Sequence, residues 1–353
     1  TETKSSAASD VYKRQDQTAA LQAFSGGDYN YRLEFSAERW HTAYDFPAAK
    51  DGRVTLLDTA HGRAQGMRGF AFNTRRDIFA DPRVREALIH AFDFEWVNRN
   101  YLYGQYNRID SFFGNSAMAA SGLPEGRELE ILERFRDRLP PTIFTQPNTL
   151  PTTDGSGNIR RNLREAGRIL EAAGWVVRDG KRVEAASGRP LAFEILLRSA
   201  TDERIALSFA ENLSRLGVDA AVRTVDSPQY TARTDTYDFD MVIHRWSVSL
   251  SPGAEQTYYW GSESADINGT RNYPSIKDPV VDALAAMIAD AVDREALEAA
   301  TRALDRVLLA GHYVVPLYFT DVDHIAYWGD LGYADHTPLY GHISTVDAWW
   351  SNE

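Results

Sequence analysis

Between Leu191 and Val225 the chain reads strand, helix, strand, and this order constrains its fold more than any other feature. Leu191 to Leu197 is a largely apolar run of strand length. Behind Thr201, Ile205, Phe209, Leu213 and Leu216 then recur at helical spacing, which predicts a helix capped by Thr201 and stopped at Gly217. Val218 to Val225 is a second strand-like run. Strands joined through a helix cannot form a tight hairpin. The crossover pairs them in parallel and packs the helix on the sheet, so an α/β layer architecture is expected.

The flanking sequence extends this pattern. An apolar strand from Arg68 leads to Asp81-Pro82, a helix start in which proline gives up an amide that would lack a partner anyway, and Asp81 accepts from the free amides behind it. Val84, Leu88, Ala91, Phe92 and Trp96 are the expected buried face of this helix. Asn162 to Ala173 is amphipathic through Leu163, Ala166, Ile169 and Leu170, with Gly174 suited to a left-handed cap. A hairpin should then turn at Asp179-Gly180. Phe239 to Ile243 reads as a short buried strand leading into His244-Arg245-Trp246. Asp278-Pro279 opens one helix and Asp293 to Ala310 forms another. Tyr313 to Phe319 is a strand whose Pro316 suits an edge or a crossing between lobes.

Composition narrows the function. With 353 residues the chain can hold two domains, and 43% hydrophobic with 25% charged residues is globular. A net charge of −12 argues against nucleic acid or an anionic membrane as partner and suits a monomer. The lack of cysteine excludes thiol nucleophiles, disulfides and cysteine-held metals. The histidines form neither His-Glu-x-x-His nor an i, i+4 pair, and neither a Gly-x-Ser-x-Gly elbow nor a phosphate loop is present. Asp154, Ser156, Asn158, Asn162 and Glu165 have the spacing of a calcium loop, but Ile159 stands where glycine is needed, which favours a polar turn before a helix. No catalytic residue, metal or cofactor is expected, and no apolar run has the length of a membrane span.

The order Phe72-Asn73-Thr74, Asp81-Pro82-Arg83-Val84-Arg85-Glu86-Ala87-Leu88, Phe92-Asp93 and Tyr103-Gly104 resembles the extracellular solute-binding proteins of family 5, the peptide-type receptors of ABC importers. Phe94-Glu95-Trp96, Asn115-Ser116-Ala117, Arg161-Asn162-Leu163-Arg164 and Ser249-Leu250-Ser251-Pro252-Gly253 are similar to the YejA-like branch. The resemblance begins near Asp16. Residues 1–15 read as an appended segment outside the fold, and the remainder as the C-terminal part of a longer receptor. The resemblance implies an α/β fold of the type II periplasmic-binding-protein class, with two lobes of mixed sheets flanked by helices and lobe I incomplete. Residues 16–79 would supply part of lobe I and a hinge strand, 80–312 lobe II, and 313–353 the return to lobe I. It also implies a periplasmic receptor that captures oligopeptides or peptide-like ligands between the lobes, hands them to an ABC permease in the inner membrane, and catalyses nothing.

Candidate ligand contacts concentrate between Tyr237 and Trp260, just beyond a strand's carboxyl end, where open α/β sheets bind ligands. Trp246 offers flat area at little entropic cost, and Ser247, Ser249, Glu255 and Gln256 offer hydrogen bonds to a ligand backbone. The alternative for each is core packing or turn capping. In many peptide receptors of the resembled family an aspartate, three residues after the matching tryptophan, anchors the ligand's amino end. Here that position is Ser249, so either Glu255 takes over or the ligand is held otherwise. The resemblance adds Phe113, Asn115 and Tyr230 near the cleft. The aromatic tail with Tyr327, Trp328, Tyr333, Tyr340, Trp349 and Trp350 is expected to cover lobe I. Rival readings are an oligosaccharide receptor on the same fold, and a peptide or glycan hydrolase using Glu255 with Asp240.

Overall fold

A computed structural model describes residues 17–329, 331–333, 339–341 and 349–351. The segment 1–15, Asp16, His336 and His342 lie outside the described residues. The chain forms two compact units, one from the residues up to His61 together with those from Val322 onward, the other from Gly62 to Asp321.

In chain order the first unit opens with α1 (Gln17–Ser25), β1 (Tyr31–Glu34), α2 (Ala37–Thr42), α3 (Pro47–Lys50) and β2 (Val54–Ala60). The second begins with β3 (Gln65–Gly66), β4 (Arg68–Phe72), α4 (Pro82–Ile89), α5 (Phe94–Tyr101), β5 (Asn107–Arg108) and β6 (Phe113–Gly114). It continues through α6 (Gly126–Glu133), α7 (Thr142–Thr145), α8 (Arg160–Ala172), the hairpin strands β7 (Trp175–Arg178) and β8 (Lys181–Glu184), β9 (Ala192–Leu197), α9 (Ala200–Ser214) and β10 (Asp219–Thr224). Then follow α10 (Ser227–Asp235), β11 (Met241–Arg245), α11 (Glu255–Trp260), α12 (Pro279–Ala289), α13 (Arg294–Ala310), β12 (Val314–Pro316) and β13 (Tyr318–Phe319). Strand β14 (Val322–Trp328) returns to the first unit.

The expected α/β class with mixed sheets holds. In the larger unit a five-stranded sheet has the order β10-β9-β11-β4-β12. Strands β10, β9 and β11 run parallel, while β4 is antiparallel to both β11 and β12. The predicted crossover is present: β9 and β10 pair in parallel from Ala192 with Asp219 to Leu197 with Thr224, with α9 between them in sequence. Its cap is Ser199 and not Thr201, which lies in the first turn. Alternation along β4 feeds both faces of the sheet. Phe70 and Phe72 enter one core with Leu88, Phe92, Leu170 and Phe209; Met67 and Ala71 enter the other with Leu284, Leu304 and Leu308.

Three sequence expectations shift. The helix expected to run from Pro82 to Trp96 is two helices, because the Asp93 carboxylate accepts from the Trp96 amide at 3.1 Å and starts a new one. Strand β11 is displaced toward Arg245, taking in His244. The contact boundaries fall at 61/62 and 321/322, where the sequence reading put them at 79/80 and 312/313. The reason is that β4 and β12 are both bonded into the sheet of the larger unit. Pro316 ends β12 at the sheet edge, where its missing amide costs no ladder bond. Asp179 and Gly180 both have positive φ, 49° and 76°, as the predicted hairpin turn requires.

In the smaller unit β14 lies between β1 and β2, antiparallel to both. Phe24, Tyr44, Val54 and Ala326 form its core. From the aromatic tail, the Trp349 ring lies 5.1 Å from Tyr327 and 5.0 Å from Tyr31. A buried polar cluster centres on Glu34, whose side chain is 1% exposed; it accepts from Arg32 at 3.0 Å, from Arg39 at 2.9 Å and from the Ser36 amide at 2.9 Å. Burial alone would raise this carboxyl, but Arg39, the Ser36 amide and Arg32 hold it below the usual 4.5. A folded-state value below the unfolded one stabilises at neutral pH, and that contribution fades as pH falls below the ordinary glutamate range. Glu34→Gln leaves Arg32 buried without its counter-charge, so we expect a loss of about 3 kcal/mol at pH 7 that shrinks toward pH 3, measured by urea unfolding.

Candidate functional site

The parallel strands β9, β10 and β11 all end on one side of the sheet, at Leu197, Thr224 and Arg245, and β4 starts there at Arg68. Trp246 leaves β11 at this edge. It is 1% exposed, its amide donates to the Met67 carbonyl at 2.9 Å, and its indole Nε1 donates to the Arg271 carbonyl at 2.9 Å. The ring lies 4.9 Å from Trp260 and 4.8 Å from His244. Its flat face is thus spent on packing, and its neighbours in sequence form the surface above it. Gly66 permits this arrangement: a Cβ there would sit 1.7 Å from the Trp246 carbonyl oxygen. Because β3 pairs with β6, Gly66 also stands opposite Phe113, which is buried in the same core as Trp246.

The loop carrying Phe113 and Asn115 is fastened from below. Asp305, fully buried on α13, accepts from the Ser111 hydroxyl at 2.6 Å, the Phe112 amide at 2.7 Å and the Ala120 amide at 2.8 Å. Burial pushes this carboxyl up to about 7, against the pull of those donors. Asn115 adopts the left-handed conformation, φ 53°, and donates to the Arg63 carbonyl at 3.0 Å. This brings the loop from Ser111 to Ala120 beside the start of β3.

The other sequence candidates divide into floor and rim. Tyr230 is buried; its hydroxyl donates to the Ile243 carbonyl at 2.6 Å, and burial raises its pKa. Gln256 is buried and occupied at both ends, donating to Glu255 at 3.1 Å and accepting from Trp260 Nε1 at 3.0 Å. Glu255 is exposed, but its carboxylate accepts from the Gly253 amide at 3.0 Å and closes its own loop. Ser247 and Ser249 are exposed, and the Ser249 hydroxyl accepts from the Ser251 amide. Asp240, the proposed partner of Glu255, precedes β11, ion-pairs with Arg76 at 2.9 Å and accepts from the Glu194 amide. Each carboxylate has its own partners, and no acid and base pair is assembled from them.

Sequence reasoning passed over the basic groups at this edge. In the β4–β11 ladder Arg68 stands directly opposite Arg245. Arg68 pairs with Asp202 and lies 4.7 Å from the centre of the Tyr318 ring, while Arg245 donates to Gln65 at 3.0 Å. Arg198, one residue past β9, lies over the Tyr230 ring at 5.2 Å. Arg271 donates to the Tyr273 hydroxyl at 2.6 Å. His244 lies against Tyr273, 4.4 Å between ring centres, and burial together with Arg271 and Arg198 lowers its pKa to about 3, so it is neutral at physiological pH. The signal available in the sequence was an arginine at or just past the end of two apolar strands, Leu197-Arg198 and His244-Arg245.

The family model for bacterial extracellular solute-binding proteins, family 5 Middle, matches residues 10–268. A probable peptide-binding protein YejA of Agrobacterium fabrum is 45% identical over 340 residues, covering 96% of this chain and 55% of the relative. A peptidoglycan-binding protein YepA of the same organism is 39% identical, covering 94% of this chain and 55% of the relative. The chain therefore spans about half the length of the curated relatives it matches. Among solved structures, the oligopeptide-binding protein AppA of Bacillus subtilis, in complex with a nonapeptide, superimposes with a TM-score of 0.68 at 19% identity, over 96% of this chain and 59% of that one. At that identity the likeness shows the fold, which is that of type II periplasmic binding proteins.

The crossing at Gly66 yields a direct test. Gly66→Ala forces the Trp246 carbonyl away, so urea unfolding should show a loss of about 3 kcal/mol. Gly104→Ala, at φ +71° with nothing near its added Cβ, should cost only the left-handed strain, about 1 kcal/mol.

Proposed function

Because the chain belongs to the bacterial extracellular solute-binding proteins of family 5, in its YejA-like branch, we propose that it is the ligand-capturing part of an ABC importer receptor for oligopeptides or peptide-like compounds. The observation that carries this reading is the edge of the five-stranded sheet. Buried Trp246, Trp260, Phe113 and Tyr230 make a rigid floor, while Ser247, Ser249, Arg198 and Arg245 stand exposed above it. A fixed aromatic base with adaptable polar groups on top suits a ligand read through its backbone, since hydroxyls and guanidinium groups accommodate amides and carboxylates without demanding one side chain. A probable peptide-binding relative and a structural neighbour solved in complex with a nonapeptide point to the same ligand class.

In this reading the chain works in the periplasm as a monomer and passes its ligand unaltered to a permease in the inner membrane. Ligand capture stabilises the receiving conformation only through better affinity for it. Neither Glu255 nor Asp240 is free to act as the acid or base of a hydrolysis, which favours capture over turnover. Of the eight candidate residues, Ser247 and Ser249 remain as direct contacts. Trp246, Phe113, Gln256 and Tyr230 support them, and Glu255 and Asn115 shape the surrounding loops.

The test is to purify the protein at its natural length, release what it carries, and identify it by mass spectrometry. We expect peptide-like compounds in stoichiometric amount, and labelled oligopeptides recovered with unchanged mass after prolonged incubation. Cleavage of those peptides, or a thermal shift with oligosaccharides and none with peptides, would defeat the reading.

A further inference from the structure

The basic groups at the carboxyl edge of the sheet are out of keeping with the rest of the chain. The protein carries 50 acidic against 38 basic side chains, yet Arg68, Arg198, Arg245 and Arg271 collect where the parallel strands end. Two of the acids near this edge, Asp202 and Glu203, are already engaged, and Glu255 closes its own loop through the Gly253 amide. Asp202 is held by Arg68, Glu203 accepts from the Thr224 hydroxyl at 2.9 Å, and Asp235 reaches Arg271 only through its field, without ion-pair contact. Among the described residues, Arg198, Arg245 and Arg271 have no carboxylate within 4.0 Å.

For Arg245 the placement is costly unless something answers it. Like charges directly opposite in an antiparallel ladder repel, and Arg245 faces Arg68 in register. Arg245 is also held below the ordinary arginine value by burial, then by Arg68 and Arg63, which marks a cation in an unfavourable field. On the other face of the same strand, Arg198 and Arg271 flank His244, where Asp235 offsets Arg271 through its field but makes no ion-pair contact with it. Three of the four guanidinium groups are also positioned in advance: Arg198 over Tyr230, Arg68 over Tyr318, and Arg271 by the Tyr273 hydroxyl. Arg198 and Arg271, ordered planar cations without a carboxylate within 4.0 Å, fit carboxylate recognition, because a guanidinium grips both oxygens of a carboxylate at once.

We propose that the ligand is acidic, and that Arg198, Arg245 and Arg271 receive its carboxylates at the carboxyl edge of the larger unit's sheet. This deepens the receptor reading and rests on it. It also accounts for Ser249. At the position where the resembled family carries an aspartate for an ammonium group, this chain has a neutral hydroxyl. The ligand is therefore anchored through its acids and not through its amino end. Two sources supply that chemistry: ordinary peptides rich in glutamate or aspartate, and cell-wall stem peptides, whose γ-linked glutamate and diacid residues carry several carboxylates.

Calorimetry on the protein at its natural length tests this with four probes of similar size: Ala-Ala-Ala amide, Ala-Lys-Ala amide, Ala-Glu-Glu, and L-Ala-γ-D-Glu-meso-diaminopimelate. The acidic probes should bind at least tenfold tighter than the neutral amide, and more weakly as salt rises, as expected for charge-assisted contacts. Preference between the two acidic probes identifies the source. Arg198→Gln and Arg271→Gln should each remove most of that tenfold advantage and leave affinity for the neutral amide unchanged; Arg189→Gln, an exposed arginine on a different loop, should alter neither. Thermal unfolding confirms that the exposed-site variants fold. Equal binding of neutral and acidic probes, or variants that keep the preference, would overturn the acidic-ligand inference while the receptor reading stands. Failure of every peptide alongside binding of a sugar would overturn both.

Discussion

Strand β4 must find hydrogen-bond partners on both of its edges, and much of the larger unit follows from that requirement. It pairs with β11 on one side and β12 on the other, so its backbone is satisfied only when segments more than 160 residues away in the chain are in place. Both faces of the strand are then covered, Phe70 and Phe72 by one helical layer and Ala71 by the other. A strand buried on both faces fixes the sheet's orientation. Once β11 lies antiparallel to β4 and parallel to β9, the carboxyl ends of three strands and the start of β4 meet at one edge.

At that edge buried and exposed side chains alternate along the chain, with Trp246 buried between exposed Arg245 and Ser247. Trp246 is held by a backbone bond to Met67, an indole bond to Arg271 and close contact with Gly66, so it has no face left for a ligand. Its rigidity instead fixes Arg245 and Ser247 on either side of it in sequence. Asp305 plays the corresponding part for the loop with Phe113 and Asn115. Three donors converge on one buried carboxylate, and ordering them through a single acceptor holds the loop's backbone where β6 can pair with β3. At the rim the like-charge opposition of Arg68 and Arg245 remains as strain.

The extent to which all this was legible in sequence depended on range. The β9–α9–β10 crossover, the hairpin at Asp179-Gly180 and the Asp-Pro helix starts are set within about 35 residues, by periodicity and turn chemistry that act locally. The split at Asp93 was missed although its signal was local as well: an aspartate three residues before Trp96 competes for that residue's amide and begins a helix of its own. The burial of Trp246 was not legible for a different reason. An aromatic beside small polar residues looks the same in sequence whether its ring faces a ligand or a second tryptophan, and here Trp260 covers it.

By itself, then, the sequence determined the layer class, most elements and the family, because each of these is written in short-range pattern or in matching motif order. Only the tertiary structure decided that Arg68 would face Arg245, that Arg198 and Arg271 would flank His244, and that Glu255 and Asp240 would each be taken by other partners. Those outcomes depend on strand register and on which hydrogen bonds a folded backbone leaves available. Charges far apart in the chain acquire a common field only when the sheet brings them to one edge.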